Sequence, residues 1–143
     1  MGVFEGKFIV ASGPVIIENG NLLVNKDKKD DFWKLPGGSI NEGEDLEEAC
    51  KRKVKEEING EIEIIKPLYP NILYENPTTK EKMKIILINY LAKLRNKNKI
   101  HPANGTTELK WIAIKDILNQ NKANVSPNTL ALIKKMKETG ELK

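Results

Sequence analysis

One stretch, residues 34–60 with the sequence KLPGGSINEGEDLEEACKRKVKEEING, constrains the fold more than any other part of the chain. A Pro-Gly-Gly turn opens it, and apolar side chains then recur at every fourth position: Leu46, Cys50, Val54 and Ile58. This spacing is typical of one buried side of an α-helix and predicts a helix from Asp45 to Ile58. Asn59 and Gly60 both accept the left-handed conformation, so they predict its end.

The rest of the chain has the patterns of β-strands placed on either side of this helix. Strands are predicted at residues 7–17, 22–24, 32–35, 61–65, 68–74, 83–94 and 109–114. Asn19-Gly20 predicts a hairpin turn, and Gly13-Pro14 predicts a break or bulge in the first strand. Ser126-Pro127 predicts the start of a last helix, with serine as its N-cap. The order of strands, helix, strands and helix predicts an α/β fold with a mixed sheet and helices on both faces.

Length and composition predict one cytoplasmic domain that spans residues 1–143. The chain is 39% hydrophobic and 31% charged, and its longest apolar run, residues 85–88, is far shorter than the ~20 residues of a membrane span. The N-terminus lacks the basic and apolar regions of a signal peptide. With one cysteine, Cys50, and one histidine, His101, an intramolecular disulfide and a cysteine zinc site are excluded. Acid–base and metal chemistry must therefore depend on carboxylates.

The net charge of +4 is spread along the chain as lysines between acidic residues. This favours modest attraction to small polyanions such as nucleotides. Clustered arginines with interleaved aromatic residues, which are typical of a nucleic-acid surface, are not present. A generic nucleic-acid-binding domain is therefore the least favoured alternative, and a homodimer is left open.

The charged end of the predicted helix concentrates groups that could bind a metal ion. Because a helix turns by ~100° per residue, positions 53, 56 and 57 lie on one side of it. Glu56 and Glu57 form a hard oxygen site that suits Mg²⁺ or Mn²⁺, with substrate phosphate completing the coordination shell. The bare Gly37-Gly38 turn allows its backbone to approach a metal or phosphate closely. By itself, such a charged run also fits a solvated helix face.

The combined spacing resembles the Nudix box, in which two glycines, four glutamates and an arginine stand at fixed separations. The box covers residues 38–60, and the following residues match its pattern: Gly38, Glu44, Arg52, Val54, Glu56 and Glu57. The lead-in from Trp33 to Gly38 is also similar to the usual approach to the box. The resemblance covers most of the chain, but only the box is a sharp match.

This resemblance implies a Nudix fold, an α/β/α sandwich with a mixed sheet and a loop–helix–loop motif. It also implies Mg²⁺- or Mn²⁺-dependent hydrolysis of a pyrophosphate bond in a nucleoside diphosphate linked to another group. Under it, Glu56 and Glu57 are metal ligands and the Gly37 carbonyl is a plausible third. Arg52 and Glu44 are implied to be the pair that orders the site.

Four further residues are candidates for the site on the same basis. Glu108 is the nearest candidate for an additional metal ligand ahead of the strand that carries Trp111. Asn128 resembles the base-recognising asparagine of mutator-type oxidised-dGTP pyrophosphatases, with a polar residue near the helix cap as the alternative. Gly38, through its backbone, and Lys53 are expected to contact substrate.

Lys53 is also the main departure from the family pattern, because it stands where the first glutamate of the box helix is expected. Three alternatives remain at this point. Its ammonium could pair with both carboxylates and compete with a metal ion; it could replace the charge of one metal ion and contact phosphate; or it could point out of the cleft. A catalytically weak or inactive nucleotide-binding module is therefore the alternative function. Asn59, in place of the box glycine, is a milder departure.

Overall fold

The structure of the protein is a computed structural model that describes residues 6–142. Residues 1–5 and 143 lie outside the described residues. They include part of the N-terminal segment in which the sequence predicts no signal peptide. The strands are β1 (Phe8–Glu18), β2 (Asn21–Asp27), β3 (Gly38–Ser39), β4 (Ile62–Pro67), β5 (Asn71–Glu75), β6 (Lys82–Leu94) and β7 (Thr106–Ala113). The helices are α1 (Leu46–Ile58), α2 (Ile114–Leu118) and α3 (Pro127–Glu138).

The strands form one mixed sheet in the order β4-β6-β1-β2-β7, with β3 beside β1 and β5 beside β6. β1 and β6 run parallel at the centre, and the other pairs are antiparallel. The mixed sheet predicted from the sequence is therefore confirmed. The predicted break at Gly13-Pro14 is wrong, because β1 pairs with β6 without interruption from Phe8 to Ile16.

Side chains alternate along β1 between two apolar layers, as the period of a strand requires. Val15 packs in one layer with residues of α2 and α3, such as Ile117 and Ile133. Its neighbour Ile16 packs in the opposite layer with Val54 and Ile58 of α1. Helices thus cover both faces of the sheet, and the predicted α/β/α sandwich is confirmed.

Helix α1, which carries the charged residues of the box, has well-defined ends. Asp45 is its N-cap, and its carboxylate accepts a hydrogen bond from the Glu48 amide at 2.8 Å. At the other end Asn59 has φ 56° and ψ 30°. The Gly60 amide then donates to the carbonyl of Val54 at 3.1 Å, a bond typical of a left-handed helix stop. Both predicted ends are confirmed, and Asn59 takes the conformation that the box glycine would take.

Several local features differ from the sequence prediction. Residues 32–35 form no strand but only two isolated bridges, from Trp33 to Val125 and from Lys34 to Asn25. Strand β3 and helix α2 were not predicted, because both are too short to show a period.

The hairpin turn is confirmed, since Asn19 and Gly20 have φ of 51° and 77°. None of the helices in residues 6–142 is long and apolar enough to cross a membrane.

Candidate active site

The Pro36-Gly37 turn crosses directly over β1, and two glycines make this crossing possible. A Cβ added to Gly13 would lie 2.0 Å from the carbonyl oxygen of Pro36. A Cβ on Gly37, which has φ +145°, would lie 2.5 Å from the carbonyl oxygen of Ser12. Real side chains do not approach backbone so closely, so only glycine fits on either side. The crossing places the turn next to α1.

Glu57 joins α1 to this turn. The Gly37 amide donates to Oε1 of Glu57 at 2.7 Å, and the Glu57 side chain is only 12% exposed. Burial raises the pKa of Glu57, although the Gly37 amide and the nearby charges of Lys53 and Lys34 act in the opposite direction. The site therefore holds a carboxylate whose negative charge is poorly solvated, and a cation beside it would stabilise that charge.

Arg52 connects the helix to the loop that precedes it. Its Nε donates to Oε2 of Glu44 at 2.7 Å and its Nη2 donates to Oε1 of the same residue at 2.9 Å. Nη1 donates to Oε1 of Glu56 at 2.8 Å, and Nη2 also reaches the carbonyl of Ser39 at 3.1 Å. The guanidinium holds the pKa of Glu44 at about 2, so this carboxylate stays ionised near neutral pH. The structure thus brings the predicted Arg52–Glu44 pair together.

Lys53 reaches into the space between α1 and the glycine turn. Its Nζ lies 3.9 Å from Oε1 of Glu56 and 4.0 Å from Oε2 of Glu57. The side chain passes so close to Gly38 that a Cβ there would lie 2.7 Å from Cε of Lys53. It is 23% exposed. The alternative in which Lys53 points out of the cleft is therefore wrong, and the two alternatives that keep its charge inside the site remain.

The fit of this site to a divalent cation depends on its donor set. Among residues 6–142, no group of three or more His, Cys, Asp and Glu side chains converges in a way that could hold a metal ion. Glu56 and Glu57 supply two adjacent carboxylates beside the glycine turn. Two carboxylates fit Mg²⁺ or Mn²⁺ when phosphate and water provide the remaining ligands, which is the usual arrangement for Mg²⁺. They do not form a complete cage of protein ligands.

A cavity of about 200 Å³ opens beside the same turn. Gly37 and Gly38 form part of its wall, so it adjoins the carboxylate site. Apolar side chains, among them Phe32, Leu73 and Leu87, line it together with the polar side chains of Asn89 and Asn128. Apolar walls with a few polar groups are typical of a ligand pocket.

Three asparagines form a hydrogen-bonded chain at this cavity. Asn89 donates from Nδ2 to the carbonyl of Gly13 at 3.0 Å, and its Oδ1 accepts from Nδ2 of Asn128 at 3.2 Å. Oδ1 of Asn128 accepts from Asn71 at 3.1 Å. Because a carbonyl can only accept, Gly13 fixes the orientation of Asn89 and, through it, that of Asn128.

The sequence left open whether Asn128 lines the site or is only a polar residue near a helix cap, and its position distinguishes the two. It lies in the first turn of α3, but Ser126 provides the cap by accepting from the Thr129 amide. The Asn128 side chain points instead to the asparagines of the sheet and lines the cavity. Asn71 and Asn89 were not predicted from the sequence, although the polar Asn89 inside the apolar run of β6 was a signal for its role.

Glu108 lies on β7, opposite Lys26 of β2. Its carboxylate is 56% exposed and lies 3.7 Å from Nζ of Lys26. Its ion pair is thus with Lys26 and not with a cationic residue of the box. Its role as an additional metal ligand remains a prediction from the sequence.

The fold and the site define a class of protein: an α/β/α sandwich with a mixed sheet, in which a loop–helix–loop motif holds paired carboxylates beside a glycine turn and a cavity. The family model of the NUDIX domain matches residues 7–133. The chain therefore belongs to the Nudix family.

Two named proteins are similar to parts of this chain. A protein of Wolbachia pipientis subsp. Culex pipiens (strain wPip) named "RNA pyrophosphohydrolase" is 34% identical over 62 residues, which are 42% of this chain and 38% of that protein. A Bacillus subtilis (strain 168) protein named "Putative 8-oxo-dGTP diphosphatase" is 24% identical over 109 residues, which are 76% of this chain and 66% of that protein. Both matches cover less than two thirds of the relative's length.

Among solved structures, the crystal structure of the MutT protein from Methanosarcina mazei Go1 superposes with a TM-score of 0.77. The match covers 97% of this chain and 99% of that chain at 19% sequence identity. At 19% sequence identity, this structural similarity shows a shared fold and nothing about activity.

The Arg52–Glu44 pair can be tested by a change that keeps the charge. Arg52→Lys is expected to lower kcat/KM for the nucleotide hydrolysis that the Nudix resemblance implies by about 10- to 100-fold, because a lysine cannot make the paired hydrogen bonds to Glu44 and reach Glu56 at once. Arg95→Lys is the matched control, since Arg95 pairs with Glu63 at the surface. Steady-state kinetics would check both variants, and equal rates for the two would contradict a positioning role for Arg52.

Proposed function

We propose that this protein is a Nudix hydrolase that cleaves a pyrophosphate bond in a nucleoside triphosphate or a related nucleotide, with Mg²⁺ or Mn²⁺ as cofactor. The observation that carries the proposal is the hydrogen bond from the Gly37 amide to Glu57. This bond holds the carboxylates of α1 beside a turn that also forms the wall of the cavity. A nucleoside in the cavity would thus present its phosphates to the carboxylates.

The named relatives agree with this reaction class. Both names describe the removal of a diphosphate or pyrophosphate unit from a phosphorylated nucleotide or RNA. Substrate choice between such classes depends on the cavity and not on the box. We place the base of the nucleotide near Asn128, whose amide is held in a fixed orientation by Asn89.

Each residue of the box has a distinct role in this proposal. Glu56 and Glu57 would hold the divalent cation, with the Gly37 carbonyl as a plausible third ligand. A cation bound there supplies polarisation of a phosphate oxygen and a lower pKa for an attacking water. Arg52 and Glu44 fix the position of Glu56. When substrate is bound, the Gly38 backbone and the Lys53 ammonium would face the phosphate groups.

Compartment and assembly are part of the same proposal. A single, buried cysteine is in keeping with a cytoplasmic location. The partner of the site is a small-molecule nucleotide, and a homodimer stays a prediction from the sequence.

The proposal is tested by incubating the purified protein with a panel of nucleotides in Mg²⁺, in Mn²⁺ and in EDTA. The panel contains canonical and oxidised dNTPs, dinucleoside polyphosphates and ADP-ribose, and chromatography identifies the products. We expect cleavage of at least one nucleotide that requires metal and disappears in Glu57→Gln. Glu61→Gln, a change at an exposed glutamate that pairs with Lys55, is the matched control and should cleave at the wild-type rate.

A second function is favoured by the position of Lys53, whose ammonium lies near both carboxylates. A cation held there by the chain would weaken catalysis and leave a nucleotide-binding module. Lys53→Glu separates the two functions. Cleavage by the wild type supports the hydrolase, whereas cleavage that appears only in Lys53→Glu supports the binding module.

A further inference from the structure

We infer that the ammonium of Lys53 fills the cation position between Glu56 and Glu57, so that the protein without substrate binds a divalent cation weakly. This inference rests on the proposed function, because it concerns the metal site of the same reaction. It chooses the first of the two alternatives that the geometry leaves for Lys53, competition with the metal ion.

The position of the ammonium carries the inference. Nζ is nearly equidistant from the two carboxylates, at 3.9 Å from Glu56 and 4.0 Å from Glu57. The oxygen of Glu57 that faces Lys53 is Oε2, while Oε1 accepts from the Gly37 amide. The ammonium therefore faces the carboxylate oxygen that is left for a metal ion.

The surroundings keep Lys53 in this position. Its side chain lies over the α-carbon of Gly38, where the missing Cβ leaves room for it. It is 23% exposed, so solvent screens its charge only in part. Glu57 is more deeply buried, with a side chain that is 12% exposed, so its negative charge is poorly solvated. An ammonium beside Glu57 offsets the free-energy cost of burying that charge, and this favours the observed position of Lys53.

The charges of the site also support competition between Lys53 and a divalent cation. Glu44, Glu56 and Glu57 face the two cations Arg52 and Lys53, so the cluster has one net negative charge. Arg52 already engages both oxygens of Glu44 and both oxygens of Glu56. A divalent cation that binds the same carboxylates must displace Lys53 or be repelled by it. Removing the lysine charge should therefore strengthen metal binding to the free protein.

The experiment is a titration of the nucleotide-free protein with Mn²⁺, in which the electron paramagnetic resonance signal measures unbound Mn²⁺. Lys53→Met keeps an unbranched, apolar side chain of nearly the same length and removes the charged ammonium. We expect it to bind Mn²⁺ at least tenfold more tightly than the wild type. Lys55→Met is the matched control, because Lys55 pairs with Glu61 on the exposed side of α1, and it should stay within twofold of the wild type.

A double variant locates the new binding site. Adding Glu57→Gln to Lys53→Met should abolish the gain in Mn²⁺ affinity, and circular dichroism checks that each variant is folded. Equal Mn²⁺ affinity of Lys53→Met and the wild type would overturn the inference, as would a gain that persists without the Glu57 carboxylate. Failure of the proposed hydrolysis is distinguishable, because it is read from nucleotide products and not from Mn²⁺ binding.

Discussion

Glu57→Gln is expected to stabilise the metal-free protein while it removes activity. Glu57 is 12% exposed and burial raises its pKa, so its ionised form is less stable in the folded chain than in water. A neutral glutamine can still accept the hydrogen bond from the Gly37 amide. We expect the melting temperature at pH 7 to rise by roughly 2–4 °C, and kcat/KM to fall by at least about 100-fold through loss of a proposed metal ligand.

The pH dependence of this stabilisation follows from the direction of the pKa shift. Because the folded-state pKa of Glu57 lies above the ordinary value of 4.5, the folded protein binds the proton more tightly than the unfolded chain. Stability contributed by this group is present below pH 4.5 and is lost as the pH rises through the folded-state pKa. The melting temperatures of the wild type and Glu57→Gln should therefore converge at low pH and separate toward neutrality.

Thermal melts of both proteins in EDTA from pH 4 to pH 8 provide the measurement. Glu61→Gln is the control, because the Glu61 side chain is 61% exposed, and its melting curve should follow that of the wild type across the range. A lower melting temperature of Glu57→Gln at pH 7 would show that the ion pair with Lys53 outweighs the cost of burying the charge, and would contradict this account of the site.

Gly13→Ala is expected to have the largest effect on the fold. The added Cβ would lie 2.0 Å from the carbonyl oxygen of Pro36 and 2.9 Å from the α-carbon of Gly37. Both contacts are with backbone, which cannot rotate away, so the turn must move off β1. We expect a loss of about 3 kcal/mol in the free energy of unfolding, at the upper end of the usual cost of overpacking. Activity should fall as well, since Gly37 positions Glu57.

Denaturant unfolding of Gly13→Ala and Gly60→Ala separates this crossing from general effects of alanine. The atoms nearest to a Cβ on Gly60 would belong to side chains, Val54 at 3.0 Å and Ile58 at 3.3 Å, which can adjust. Gly60→Ala should change the free energy of unfolding by less than about 1 kcal/mol. Similar values for the two variants would contradict the proposed role of the crossing.

The sequence predicted the parts of the fold that depend on local periods and local conformations. The stripe of α1, its start near Asp45 and its stop at Asn59 are all encoded within a few residues, and each is confirmed. The hairpin at Asn19-Gly20 is confirmed for the same reason. The sequence also predicted that the box carboxylates lie together, because their spacing along one helix places them on the same side of it.

Other features depend on contacts between distant segments and left little local signal. Gly13 was interpreted as a break in β1, whereas its missing side chain admits the Pro36-Gly37 turn, more than twenty residues away in the chain. The chain of Asn71, Asn89 and Asn128 joins two strands and a helix. The direction of Lys53 could not be chosen either, since it depends on the space above Gly38.

The proposed role of the α1 carboxylates is to direct water at a phosphorus atom of a nucleotide. ³¹P nuclear magnetic resonance of the cleavage products formed in ¹⁸O-labelled water with Mg²⁺ or Mn²⁺, for the wild type and Glu57→Gln, tests this role. We expect one labelled oxygen in a phosphate-containing product of the wild type and no labelled product from Glu57→Gln. Labelled product from Glu57→Gln at the wild-type rate, or no labelled product from the wild type with any nucleotide of the panel, would contradict it.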